Sequence, residues 1–177
     1  MGKKLVVNRK DLWVGIGCQR GTSTQLLEKA IEQVFRENQL HQSAIAGLAT
    51  IDNKAKEPAL VEFCQLHNLT FKTFPPEVLR LVSVPNPAKL IEQTVGTPSV
   101  AEAAAMLAAV DINWLTKIVD EILPLNPNSS HLTPTLTLVG VRCLVPKQIF
   151  RLPGEPGAVT VAIAQGLTKI TSVIPIH

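Results

Sequence analysis

The stretch 12–35 constrains the fold more than any other part of the chain. Residues 12–16 form a short apolar run that passes into a glycine-containing loop, the pattern of a buried strand. Leu27, Ala30, Ile31, Val34 and Phe35 then recur at helical spacing, so the next segment is a helix that buries one face. Thr22 reads as its N-cap, with Gln25 at the capping-box position. A strand handing over to an amphipathic helix through a short loop is a β–α unit, and such units assemble into layered sheets.

The pattern repeats. Ile45–Ile51 is a second strand, followed by a polar loop at 52–58 whose Pro58 suits the first turn of a helix. Leu60, Val61, Cys64 and His67 mark the inner face of that helix. Residues 69–74 read as a third strand, stopped by Pro75-Pro76, with a short helix over 77–82. Asn86-Pro87 opens another helix, which Gly96 ends. Thr97-Pro98 repeats the start signal, and the alanine-rich run 100–110 suits a helix packed closely by its neighbours. Residues 111–123 continue in helical style before a Pro/Asn/Ser-rich loop at 124–134. Runs 135–145 and 158–164 read as strands, with Lys147, Arg151, Gly154 and Gly157 in the loop between them. The expected architecture is a three-layer α/β/α sandwich around a mostly parallel sheet, which a C-terminal strand pair would make mixed. Ligands of such sheets sit at the carboxyl ends of the strands.

With 177 residues the chain is long enough for one domain with a real core. The net charge of +3 is mild, and beyond Lys3-Lys4 and Arg9-Lys10 the basic residues are scattered singly, which gives no nucleic-acid footprint. No apolar run is long enough for a membrane span or a secretory signal. Cys18, Cys64 and Cys143 lie far apart and odd in number, and His41, His67, His131 and His177 show no metal-ligand spacing. A reducing cytoplasm, no protein-bound metal, no nucleic acid and no membrane are the resulting expectations.

Three segments carry chemistry. In Gly15-Ile16-Gly17-Cys18-Gln19-Arg20-Gly21-Thr22-Ser23, Gly17 and Gly21 allow close approach of a ligand, and the helix start that follows favours an anion. Arg20 offers a two-pronged grip on a carboxylate, and Thr22 and Ser23 add hydroxyls. The same loop also reads as an ordinary turn. It is neither a GxGxxG fingerprint, since Arg20 stands at the third glycine position, nor a P-loop. Cys18 has no evident His partner. The second segment, Ala49-Thr50-Ile51-Asp52-Asn53-Lys54-Ala55-Lys56-Glu57, crowds Asp52, Lys54 and Glu57 at a strand end, as a charged site or a solvated helix start. In the third, Thr97 and Ser99 stand at a helix start, with Glu102 as a capping-box partner of Ser99 or a base. Lys147 and Arg151 flank the last loop, and Trp13 and Trp114 read as packing residues.

Taken together, GIGCQRGTS (15–23), LATIDNKAKEP (48–58), residues 84–87, VGTPSVAEAAA (95–105), 144–147 and 158–164 resemble the C-terminal domain of CbiG and the stand-alone protein CobE. They occur in family order. The resemblance implies a domain over 12–165, with an N-terminal extension at 1–11, an insertion at about 111–140 and a tail at 166–177. Departures include Gln19, where a second basic residue is common, Ala88, where a serine often stands, and a lengthened last loop.

The resemblance further implies a role in cobalamin biosynthesis and a corrin-ring intermediate as ligand. Full-length CbiG is a cobalt-precorrin-5A hydrolase, which opens a δ-lactone and releases acetaldehyde. In an enzyme of that kind, Asp52 or Glu57 is the candidate base and Lys54 or Arg20 the candidate charge stabiliser. A CobE-like module that binds or carries a tetrapyrrole without chemistry is the alternative. In either case Gly17, Cys18, Arg20, Gly21, Thr22, Ser23, Thr50, Thr97, Ser99 and Lys147 are the candidate ligand contacts. No cofactor belongs to the protein, and any cobalt belongs to the substrate. Other cobalamin-pathway enzymes, or the remainder of a fusion protein, are the implied partners. A nucleotide-binding domain is the third possibility, and both of its fingerprints fail.

Overall fold

The computed structural model describes residues 9–83, 99–110, 138 and 140–166. The readings made for the helix after Asn86, for Thr97, Trp114 and His131, and for most of the 111–140 insertion lie outside them. Five strands are described: β1 (Leu12–Cys18), β2 (Ile45–Ile51), β3 (Thr70–Phe74), β4 (Val141–Phe150) and β5 (Val159–Gly166). They form one sheet in the order β3-β2-β1-β5-β4. The β1–β2 and β2–β3 pairs are parallel, whereas β5 is antiparallel to both β1 and β4. The sheet is therefore mixed, with the terminal strand pair supplying the antiparallel half.

Helices cover both faces, which completes three layers. On one face α1 (Thr24–Glu37) and α2 (Pro58–Leu66) lie over Leu12, Val14, Ile16, Val159, Val161 and Ile163. α1 contributes Leu26, Leu27, Ala30, Ile31, Val34 and Phe35 to this core, the face its periodicity marked. On the other face lie α3 (Pro76–Leu79) and α4 (Val100–Ala109), packed with Ala49, Phe74 and Val110. Where α4 crosses, the sheet offers glycines. A side chain at Gly15 would put its Cβ 1.7 Å from the Ala101 carbonyl oxygen, and one at Gly166 would put it 2.8 Å from that of Ala109. α4 therefore rests on backbone rather than on side chains, and its own alanines permit that approach.

α1 and α2 end in the same way. Leu40 N–H donates to the Phe35 carbonyl and Leu69 N–H to that of Cys64, the long bond of a Schellman motif. Gln39 and Asn68 take the left-handed turn at φ 56° and 51°, and the leucine after each packs on the core.

Several boundaries differ from the sequence reading. The N-cap of α1 is Ser23, whose Oγ accepts from Leu26 N–H at 3.0 Å, because the Thr22 hydroxyl is already committed to the Gln19 carbonyl at 2.7 Å. The third strand begins at Thr70, and the helix expected over 77–82 is the single turn Pro76–Leu79. Val61 is only half-buried, while Ala59 and Phe63 join Leu60 and Cys64 on the inner face of α2. The largest change is at β4. The strand runs on to Phe150, so Lys147 lies within it rather than in a loop. Proline at 146 did not break the strand because β4 is an edge strand and the register shifts between Val145 and Gln148. The β4–β5 connection is therefore residues 151–158.

Candidate functional site

The carboxyl ends of β1 and β2 lie side by side, and the start of β5 pairs with the end of β1, with Cys18 opposite Val159 and Gly17 opposite Thr160. The loops after β1 and β2, the end of β4 and the β4–β5 connection consequently share one edge of the sheet. The start of α4 reaches it too, since Ser99 and Gly17 line the same cavity.

The β1–α1 loop is tied down from two sides. Gly21, at φ 80°, donates its N–H to Glu57 Oε1 at 2.8 Å. Ser23 Oγ donates to Glu155 Oε2 at 2.7 Å, across 132 residues of sequence. Gly157, at φ 95°, passes close to the Gln19 side chain, where even a Cβ would stand 3.3 Å from Oε1. Glu57 is the N-cap residue of α2 but makes no cap bond with its side chain. Its carboxylate is buried and turned instead toward the first loop, with Oε2 4.0 Å from Lys54 Nζ. Cys18 sits beside this pair. Burial pushes its thiol above the ordinary range, against the pull of Lys54, with Glu57 adding to the rise and a hydrogen bond with Thr22 opposing it. A thiol held protonated in this way is a poor nucleophile.

The remaining candidates divide between two hollows. Arg20 and Gly21 line an open cleft of about 410 Å³ with Asn53, Lys56, Glu57 and Pro58. Gly17, Ser99 and Lys147 line a second cavity of about 200 Å³, with Val100, Ala101, Ile149 and Thr160. β1 separates them: Cys18 packs with the α1 core, whereas Gly17 faces α4, as strand alternation requires. Arg20 and Asp52 are exposed, on the short turn and loop that frame the cleft. Thr50 is fully buried, and its hydroxyl donates to the Ile16 carbonyl at 2.7 Å, a tie between β2 and β1. Thr97 lies outside the described residues.

The expected capping box at α4 is not made on the serine side. Ser99 takes a left-handed backbone (φ 59°, ψ 71°), and its side chain makes no cap bond. Glu102, fully buried, accepts the Lys147 N–H at Oε1, 2.7 Å away, and so fixes β4 against the first turn of α4. Sequence reasoning did not single out Asn53, Lys56, Ile149, Glu155 or Thr160. Thr160 was within reach, because period-two alternation sets it on the face opposite Val159 and Val161. Glu155 was not, because nothing local marks a partner so far away in sequence. Among the described residues no group of three His, Cys, Asp or Glu side chains could hold a metal ion, and no helix is long and apolar enough to cross a membrane.

The fold and this edge define a three-layer α/β domain with cation-bearing hollows at its strand ends. Comparison with known proteins makes the assignment specific. The family model described as "Cobalamin synthesis G C-terminus" (CbiG_C) matches residues 12–164, and the chain belongs to that family. It is 34% identical over 98 residues to a cobalt-precorrin-5A hydrolase of Priestia megaterium and 32% identical over 105 residues to one of Salmonella typhimurium strain LT2. Those matches cover 55% and 59% of this chain but only 26% and 29% of the relatives, so the chain spans well under a third of their length. Among solved structures, CobE, a protein from the cobalamin (vitamin B12) biosynthetic pathway, aligns with a TM-score of 0.60 at 23% identity, over 95% of this chain and all of the other, a likeness of fold. The cobalamin biosynthesis protein chiG of Agrobacterium tumefaciens strain C58 aligns with a TM-score of 0.54 at 25% identity, over 88% of this chain and 98% of the other.

Proposed function

We propose that this domain serves cobalamin biosynthesis in the cytoplasm by gripping an acidic corrin-ring intermediate at the carboxyl edge of its sheet. The observation that carries this reading is the placing of Arg20, Lys56 and Lys147, with the start of α4, around two hollows that β1 separates at one edge of the sheet. A precorrin presents several carboxylates around a broad ring. Cations and helix-start N–H groups at one edge match that pattern, and each charge-assisted bond contributes about 1.5–3 kcal/mol when partly shielded from water. Any cobalt arrives within the substrate. The family's lactone-opening chemistry, in which water attacks the lactone carbonyl and acetaldehyde is later released, is the reaction this grip would serve. The remainder of a larger enzyme, or other pathway enzymes, would be its partners.

Binding is better supported than catalysis by this chain alone. Glu57 has one carboxylate oxygen bonded to Gly21 and the other beside Lys54, so it acts first as a clasp between two loops. Asp52, on the exposed turn after β2, is the carboxylate better placed to serve as a base. Titration of the purified chain with cobalt-precorrin-5A and its pathway neighbours, followed by absorbance, tests the reading. A saturable spectral change that weakens about tenfold in Arg20→Ala is expected, as follows from one charge-assisted bond. An unchanged spectrum would remove the proposal. Acetaldehyde release by the wild-type chain, lost in Asp52→Asn, would restore the catalytic role.

A further inference from the structure

The smaller cavity differs in kind from the open cleft. At about 200 Å³ it cannot admit a macrocycle, since sites for whole drug-sized ligands run from roughly 300 to 1,000 Å³. Its apolar walls are Val100, Ala101 and Ile149, and Ser99, Thr160 and Lys147 are the polar residues that line it. Val100 and Ala101 open a helix of 10 residues, so their N–H groups have no partner within the helix. The positive end of the helix dipole is here as well.

Ser99 supplies the second, independent observation. It is 4% exposed, and its Oγ is a buried polar atom with no hydrogen-bond partner. A buried hydroxyl left unpaired costs about 1–3 kcal/mol. The left-handed backbone at Ser99 adds to that cost, because L-residues avoid this conformation. A serine at a helix start ordinarily satisfies its hydroxyl by capping, and this one does not. Glu102 meanwhile holds the Lys147 backbone in place, so strand β4 presents the lysine side chain to the same cavity.

We propose that this cavity is a subsite for one short alkyl carboxylate arm of the ligand, of acetate or propionate size. The Ser99 hydroxyl and the N–H groups of Val100 and Ala101 donate to the carboxylate, Lys147 neutralises it, and the alkyl stem lies along Val100 and Ile149. The ring itself stays outside, over the edge of the sheet. This rests on the reading above that the ligand is an acidic macrocycle, and it adds where one arm goes and which residues read it.

Amide NMR of the full chain, titrated with sodium propionate against sodium chloride at constant ionic strength, is the test. Propionate should move the Val100 and Ala101 amides saturably, and propionamide at the same concentrations should not. Ser99→Gly removes the hydroxyl while relaxing the left-handed backbone, so it folds. It and Lys147→Met should each weaken propionate binding about tenfold. No saturable shift, an equal response to propionamide, or wild-type affinity in both variants would overturn the subsite. A corrin intermediate that binds wild type and both variants alike would also overturn it and leave the proposed function standing. Propionate binding with no response to any corrin intermediate would keep the subsite and remove the proposed function.

Discussion

Gly15 and Gly17 lie two residues apart on the same face of the same strand, yet they serve different ends. A Cβ at Gly15 would collide with the Ala101 carbonyl, which belongs to a helix backbone and cannot swing aside. A Cβ at Gly17 meets nothing closer than Thr160 Cβ at 3.5 Å, an ordinary contact. Gly15→Ala should therefore force α4 off the sheet and destabilise the fold by roughly 3 kcal/mol, the upper end for overpacking, whereas Gly17→Ala should be close to neutral. Thermal unfolding of the two variants checks the contrast, and equal melting temperatures would refute it. Glycine in the sequence announced freedom of backbone at both positions. Which of the two supports a helix and which lines a cavity depended on where α4 crosses, and no local signal carries that.

At the scale of elements, α4 is held at both ends by β-strands. Glu102 bonds β4 near its start, and Lys72 of β3 donates Nζ to the Ala108 carbonyl near its end at 3.2 Å. Lys72 Nζ also lies 4.2 Å from the centre of the Trp13 ring, and burial lowers its pKa from the usual lysine value. A cation on the last carbonyls of a helix and over an indole is worth roughly 1 kcal/mol at a half-exposed site. Lys72→Met should lower the melting temperature by a few degrees and speed hydrogen exchange in the last turn of α4. Unchanged exchange there would show that the helix end is held by packing alone.

The elements themselves were largely readable from sequence. Ile45–Ile51 was delimited to the residue because polar segments bound an apolar run on each side. β4 was misjudged because proline is a breaker only where its missing N–H is needed, and an edge position is a property of the assembled sheet. The helix cap slipped by one residue because Thr22 and Ser23 carry the same functional group, and only the turn at Gly21 decides which of them is free. The candidate segments were readable as two loops at strand ends and one helix start. Their division between two hollows was not, because that depends on which face of β1 each residue takes.

For the whole molecule, the proposed grip is electrostatic and sits on a surface open to water. Charge attraction across such a surface is screened over about 10 Å at 0.1 M salt. Affinity for a polycarboxylate intermediate should therefore fall several-fold between low and high ionic strength, while the affinity for an apolar dye should not. A salt-independent affinity for the intermediate would show that ring burial, rather than the cationic rim, supplies the binding energy.

The placement of β5 has a bearing on how the sheet can assemble. Among the described strands the last in sequence takes an inner position, between β1, the first, and β4. Until residues 159–166 dock, β1 keeps a bare flank of amide and carbonyl groups, and Gly17 has no Thr160 beside it. The hollow at Gly17 is thus closed by a contact between the first and the last of the described strands, and a chain in which that pairing has not formed lacks it.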